Sequence, residues 1–77
     1  MSVTNPSHTY EVRYYDGEQL ALEIKDRGMS KVQVTRATSA TRAISNVFAT
    51  IIEESRKAGG STSKRDFLIL EAKVIAG

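Results

Sequence analysis

Few side chains in this sequence could catalyse a reaction, and their spacing does not favour catalysis. His8 is the only histidine, and it lies in a polar N-terminal stretch, so a hydroxyl nucleophile has no well-placed base. There is no cysteine, which excludes disulfides and thiolate metal sites. Glu53 and Glu54 are neighbours on a predicted helix and point about 100° apart, so they do not face each other. We expect a binding protein that is not an enzyme and uses no metal or cofactor.

The segment 59–64, which reads GGSTSK, has the composition of a phosphate-binding loop but not its context. Such a loop follows a strand, precedes a helix and ends in Gly-Lys-Ser or Gly-Lys-Thr. Here the segment follows a predicted helix and lacks that ending. We interpret it as a flexible polar loop.

The junction between Arg36 and Arg42 is a stronger candidate for a binding site. Residues 35–42 read TRATSATR, which places two arginines and several hydroxyls around a predicted helix N-terminus. Free backbone amides there favour anions, whereas a cation such as Arg42 in the first turn opposes the helix dipole. Such departures from local rules are sometimes functional. We expect one phosphate group to be held by Arg36, Arg42, Thr38 and Ser39. The alternatives are that Arg42 pairs with an acid such as Asp66 or Glu71, or extends into water.

The face of the predicted sheet that one helix leaves uncovered is a second candidate surface. Tyr15 lies there among basic side chains, a composition typical of nucleic-acid platforms. Acidic residues interrupt this face, and a solvated antiparallel face has the same composition. Nucleic acid, a protein partner and plain solvation therefore remain open. The predicted residues are Arg13, Tyr15, Lys25, Lys31, Gln33 and Lys73, interrupted by Glu11, Glu23 and Glu71.

Length and charge predict one small domain with segregated charge. With 77 residues, positions 9–77 form one domain and positions 1–8 a frayed polar tail. The net charge is +2, yet positions 27–52 contain four bases and no acid. No apolar run approaches the ~18 residues of a membrane span, and the start is too polar for a signal peptide. We expect a cytoplasmic protein.

Periodicity predicts an α+β fold with the order β-β-β-α-β, an antiparallel four-stranded sheet packed on one long helix. Alternating residues predict strands at 9–15, 20–25 and 31–35, the first two joined by an Asp16-Gly17 turn. Apolar residues at three- and four-residue spacing predict a helix over 39–58, which Gly59 and Gly60 end. A last strand over 67–75 is apolar on both faces, which indicates an interior strand or one covered by a partner.

The same periodicity predicts a core and an apolar strip. Tyr10 and Tyr14 are expected to be buried on the helix side of the sheet. If Leu68 and Leu70 point toward the helix, then Phe67, Ile69 and Ile75 form an exposed strip that a homodimer or another partner would cover. The predicted core is Val12, Leu22, Val34, Val47, Phe48, Ile51 and Leu70.

Two segments, TYEVRYYDG (9–17) and VTRATSATRAI (34–44), resemble small bacteriophage-encoded accessory proteins. That resemblance implies binding to a host protein or to nucleic acid in a bacterial cytoplasm, without catalytic activity. The three strands followed by a helix are also similar to the arm-binding domain of phage integrases. This chain departs from that domain in its longer helix, its additional strand and the acids on its sheet face.

The function predicted from the sequence is a small binding module for nucleic acid or a nucleoprotein machine. It would use the strand–helix junction and the uncovered sheet face. The alternative is a protein–protein inhibitor or adaptor that caps a host factor. The residues expected to bind nucleic acid or an anion are Arg36, Arg42, Lys31, Arg13, Tyr15, Thr38 and Ser39.

Overall fold

This protein has an α+β fold in which a long helix covers one face of a three-stranded antiparallel sheet. The computed structural model describes residues 6–60 and 63–76, except the side chain of residue 64. The strand order is β2-β1-β3, so β1 is central and antiparallel to both neighbours. The predicted tail lies outside the described residues at positions 1–5, as do positions 61 and 62 of the predicted loop. The elements are β1 (His8–Tyr15), α1 (Gly17–Leu20), β2 (Lys31–Ala37), α2 (Ala40–Lys57) and β3 (Leu68–Ala76).

The prediction of a four-stranded sheet is wrong, because the strand expected over 20–25 does not form. Positions 16–30 instead contain the short helix α1 and a 3₁₀ turn over Ile24–Asp26. Asp16 is the N-cap of α1 rather than a hairpin turn residue. Its Oδ1 accepts from the Gln19 amide at 2.9 Å, and Gln19 Oε1 accepts from the Asp16 amide at 3.1 Å. This reciprocal capping box turns the chain into a helix directly after β1.

Two side chains then hold the connection to β2 in place of a strand ladder. The side-chain Nε2 of Gln19 donates to the carbonyl oxygens of Met29 at 2.8 Å and Arg27 at 3.3 Å. The Arg27 guanidinium donates to the carbonyl oxygens of Leu22 and Leu20. These bonds satisfy carbonyls that a neighbouring strand would otherwise pair.

The helix prediction is confirmed to within one residue at each end. Ser39 is the N-cap, and its Oγ accepts from the Arg42 amide at 3.2 Å. After the C-cap Ala58, Gly59 adopts a φ of 78°. Its amide and that of Gly60 bond back to Arg56 and Ser55, as in a Schellman motif.

The core lies between one side of β1 and the apolar stripe of α2. Tyr10, Val12 and Tyr14 are buried as predicted, and Ala43, Val47 and Ile51 of α2 pack against them, with Phe48 partly buried beside them. Three predicted core residues are wrong: Leu22, Val34 and Leu70 are 49%, 56% and 45% exposed.

The register between β1 and β2 explains the error at Val34. Tyr10 and Val12 pair with Thr35 and Gln33, so these two residues share the helix-facing side and Val34 takes the other. Leu22 is exposed because it belongs to no strand.

The last strand is an edge strand, and the sides predicted for residues 67–69 are reversed. Phe67 and Ile69 pack against the core, whereas Leu68 is about half exposed; Ile75 is exposed, as predicted. Two register shifts against β1 leave Leu70 and Ile75 as the extra residues. Such bulges are typical of edge strands.

Ile51→Ala and Leu22→Ala compare a core aliphatic residue with one in the misassigned segment. Ile51→Ala should lower the free energy of unfolding by ~2–5 kcal/mol, because it leaves a cavity beside Val12. Leu22→Ala should cost under ~1 kcal/mol, since about half of the side chain is already in water. Urea unfolding of both variants measures the difference. Equal losses would contradict the three-stranded arrangement.

Candidate binding surface

The face of the sheet opposite α2 is not covered by the helix, and we call it the open face. Alternation along β1 fixes it, because Tyr10, Val12 and Tyr14 point toward the helix. Strand register then assigns the residues of β2 and β3 that share this side. The open face comprises Thr9, Glu11, Arg13 and Tyr15 of β1, Val32, Val34 and Arg36 of β2, and Leu68, Glu71, Lys73 and Ala76 of β3.

Charged residues along the middle of the open face neutralise one another. Arg13 Nη2 lies 2.9 Å from Glu11 Oε1, and Arg13 Nε lies 3.9 Å from Glu71 Oε2. Lys73 is the register partner of Glu11. Arg13 is therefore placed on the predicted face, but two carboxylates surround its charge.

Tyr15 and Arg36, which were also predicted to bind nucleic acid or an anion, lie on this face and contact other residues of the chain. The Arg27 guanidinium carbon lies 5.6 Å from the centre of the Tyr15 ring, a cation–π contact that occupies one side of the ring. Arg36 donates to the Ser7 carbonyl oxygen at 3.1 Å and to Thr9 Oγ1 at 3.4 Å. A base stacking on Tyr15 or a phosphate contacting Arg36 would have to displace these contacts.

Lys31 lies on the helix-facing side of the sheet, away from Arg13 and Tyr15. It is the register partner of Tyr14, and its Nζ lies 2.5 Å from Asp16 Oδ2. Burial alone would raise the pKa of Asp16, but the bond from Lys31 and the Gln19 amide hold that pKa below its ordinary value. The bond to Asp16 in turn raises the pKa of Lys31. Burial raises the pKa of the neighbouring Tyr14 hydroxyl.

The Asp16–Lys31 pair borders a cleft of about 440 Å³ between α1 and the C-terminal end of α2. Ile51 and Phe67 supply apolar walls, and Glu18 and Glu54 supply carboxylates. The cleft is thus of mixed character, and its lysine charge is already paired. Among the described residues, no cluster of three His, Asp or Glu side chains is arranged to hold a metal ion.

The two arginines of the strand–helix junction belong to different elements. Arg36 lies on the open face beside Thr9, whereas Arg42 is an exposed residue in the first turn of α2. The Ser39 hydroxyl serves as the helix cap, and Thr38 is exposed in the connection. Arg42 makes no side-chain hydrogen bond or ion pair with another described residue, so the alternative pairing with Glu71 is not formed. Anion binding at this junction stays a prediction.

The feature that the sequence interpretation missed is the set of aliphatic residues on the open face. Val32, Val34 and Leu68 lie there by register, and their exposed fractions are 42%, 56% and 45%. The extra residues Leu70 and Ile75 of β3 are exposed to a similar degree. Alternation within β2 shows that Val32 and Val34 share a side, but the side itself depends on pairing with β1.

Comparisons with known proteins supply no relative from which a function could be carried over. The chain matches no protein-family model, and no significantly similar curated protein or solved structure was found. In the part of the chain that the structure describes, no helix combines the length and apolar character needed to cross a membrane. The geometry of the surfaces is therefore the basis for the function.

Asp16→Asn and Asp16→Ala separate the two roles of Asp16. Asparagine retains a capping side chain but removes the charge paired with Lys31, whereas alanine removes both. At pH 7, we expect Asp16→Ala to unfold at lower urea concentration than Asp16→Asn, by roughly 1 kcal/mol.

The pH dependence follows from the shifted pKa values. A lowered pKa of Asp16 stabilises the fold above the ordinary carboxyl range, and this contribution is lost as pH falls through and below about pH 4. The raised pKa of Lys31 stabilises the fold below the ordinary lysine range, and this contribution is lost at strongly alkaline pH. Asp16→Asn should therefore lose less stability than wild type between pH 7 and pH 3, with Asp26→Asn as the exposed control. An unchanged pH dependence would exclude this role for the pair.

Proposed function

We propose that this chain is a non-catalytic protein-binding module whose docking surface is the open face of its sheet. The observation that carries the proposal is the combination of half-exposed aliphatic residues with mutually neutralised charges. Val32 and Val34 border the centre of the face on β2, and Leu68 borders it on β3. Solvated faces of monomers normally carry polar residues at such positions, whereas here half-exposed aliphatic residues flank the neutralised centre on both sides.

The character of this surface favours protein over nucleic acid. Affinity for a phosphate backbone depends on lysine and arginine charges that are free to displace counterions. Here Arg13 pairs with Glu11 and Glu71, and Lys31 pairs with Asp16 on the other side of the sheet. Protein interfaces, in contrast, combine an apolar core with polar groups that find partners.

A protein-binding role without catalysis is one of the two roles that the resemblance to phage accessory proteins implies, the other being binding to nucleic acid. His8, the one histidine of the sequence, lies at the start of β1 with its ring edge-on to Tyr10. The module would act by occupying a partner's surface.

Val34→Lys tests the docking surface, with Ala49→Lys on the exposed side of α2 as a matched control. Each tagged variant and the wild type are incubated with bacterial lysate, with and without nuclease, after circular dichroism confirms folding. We expect wild type and Ala49→Lys to retain a protein that resists nuclease, and Val34→Lys to lose it, because a charge in an apolar interface costs several kcal/mol.

The opposite pattern would support nucleic acid. Partners that disappear with nuclease and bind Val34→Lys at least as well as wild type would replace the protein-binding proposal. In that case the salt dependence of binding is measured for Arg36→Ala and Arg42→Ala. If either substitution lowers the slope of log affinity against log salt concentration by about one unit, that arginine contacts a phosphate.

A further inference from the structure

The arrangement of charges on the open face has a property that the proposed function alone does not require. Two neighbouring rows cross the sheet at its centre. One row contains Val34, Glu11 and Lys73, and the next contains Val32, Arg13 and Glu71. Position by position, the rows carry valine against valine, acid against base, and base against acid.

Such a pair of rows is complementary to itself under a twofold rotation. Consider an axis that lies between two facing sheets, runs perpendicular to the strands, and passes at the level of Val12. This rotation places each row of one copy over the other row of the second copy. Glu11 then faces Arg13 of the partner subunit, Lys73 faces Glu71 of the partner subunit, and Val34 faces Val32 of the partner subunit. The interface is isologous, because one patch serves both copies.

The outer rows fit the same operation. Thr9 pairs with Ala76 beyond one central row, and Tyr15 pairs with Leu68 beyond the other. The rotation brings Ala76 over Leu68 of the partner subunit, an apolar contact, and Thr9 over Tyr15 of the partner subunit. Among the β1 and β3 residues of these rows no like charges face each other, and Arg36, the β2 member of the Thr9 row, faces a level beyond the start of β2 in the partner subunit.

We propose that the partner on the open face is a second copy of this chain, and that two sheets pack face to face about this axis. The inference rests on the proposed use of the open face. Two sheets packed this way lie about 10 Å apart with strands within ~30° of alignment. Ion pairs within each chain already neutralise Glu11 and Arg13, which lowers the cost of burying them.

The size of the face sets the expected strength. The sheet has three strands of seven to nine residues. With a strand spacing of ~4.8 Å and a rise of ~3.3 Å per residue, face-to-face packing buries at most several hundred Å² of surface on each copy. This area is near or below the ~800 Å² per partner of a standard interface. We therefore expect a reversible dimer that forms in the micromolar range.

Charge exchange tests the pairing of Glu11 with Arg13. Glu11→Arg alone places arginine over arginine, and Arg13→Glu alone places glutamate over glutamate, so each variant should dimerise at least ~10-fold more weakly than wild type. An equimolar mixture of the two variants restores both cross-copy pairs in a heterodimer. Sedimentation equilibrium should then show the mass of two 8.5 kDa chains. Glu53→Arg, which breaks an ion pair with Arg56 on α2, is the control and should dimerise like wild type.

The mixture separates pairing across the interface from damage within one chain, because both variants lose the same internal ion pair. Dimer recovery on mixing supports the proposal. A wild type that stays monomeric to about 1 mM, or a mixture that stays as weak as its components, overturns it. If the wild type is monomeric and Val34→Lys still loses a protein captured from lysate, the homodimer is excluded but the docking function stands. If Val34→Lys also loses nothing, both proposals fail.

Discussion

The contact between the apolar side of β1 and the inner stripe of α2 is the constraint on which the rest of this structure depends. Tyr10, Val12 and Tyr14 supply one side, and Ala43, Val47 and Ile51 supply most of the other. Val12 has no solvent exposure, and it lies on β1, which has a neighbouring strand on each side. The small side chain of Ala43 allows the helix to approach closely. Because the chain has one long helix, this packing covers one face of the sheet and leaves the other open.

The open face follows directly from that arrangement, and its composition gives it a role. Burial of Tyr10, Val12 and Tyr14 commits the alternate residues of β1, including Glu11 and Arg13, to the opposite side. The register of β2 and β3 then adds valines on one flank and Leu68 on the other. Neutralised charge in the centre with aliphatic residues at the flanks is compatible with burial against a protein surface. It is less suited to a phosphate backbone, which requires free positive charge.

The connection between β1 and β2 shows how local hydrogen bonds can override an alternating pattern. Asp16 caps α1, pairs with Lys31 at the start of β2, and thereby joins the two ends of the connection. Gln19 and Arg27 bond to backbone carbonyls along the same segment. A strand over 20–25 would have buried one side of Leu22 and Ile24 against another element. Both remain exposed.

The sequence by itself determined the α+β class, the strand over residues 9–15, the helix over residues 39–58 to within one residue at each end, and the burial of Val12, Val47 and Ile51. These follow from short-range periodicity and capping, which act within a few residues. Asp16 and Gln19 also have the spacing of a capping box, a signal that the prediction of an Asp16-Gly17 turn did not use. The tertiary structure alone decided which sides of β2 and β3 meet the helix, and therefore that Val34 and Leu68 lie on the open face. It also decided that Arg36 lies on the open face, bonded to Ser7 and Thr9. A shift of one residue in strand register exchanges the two faces completely, and register depends on long-range pairing that no local pattern encodes.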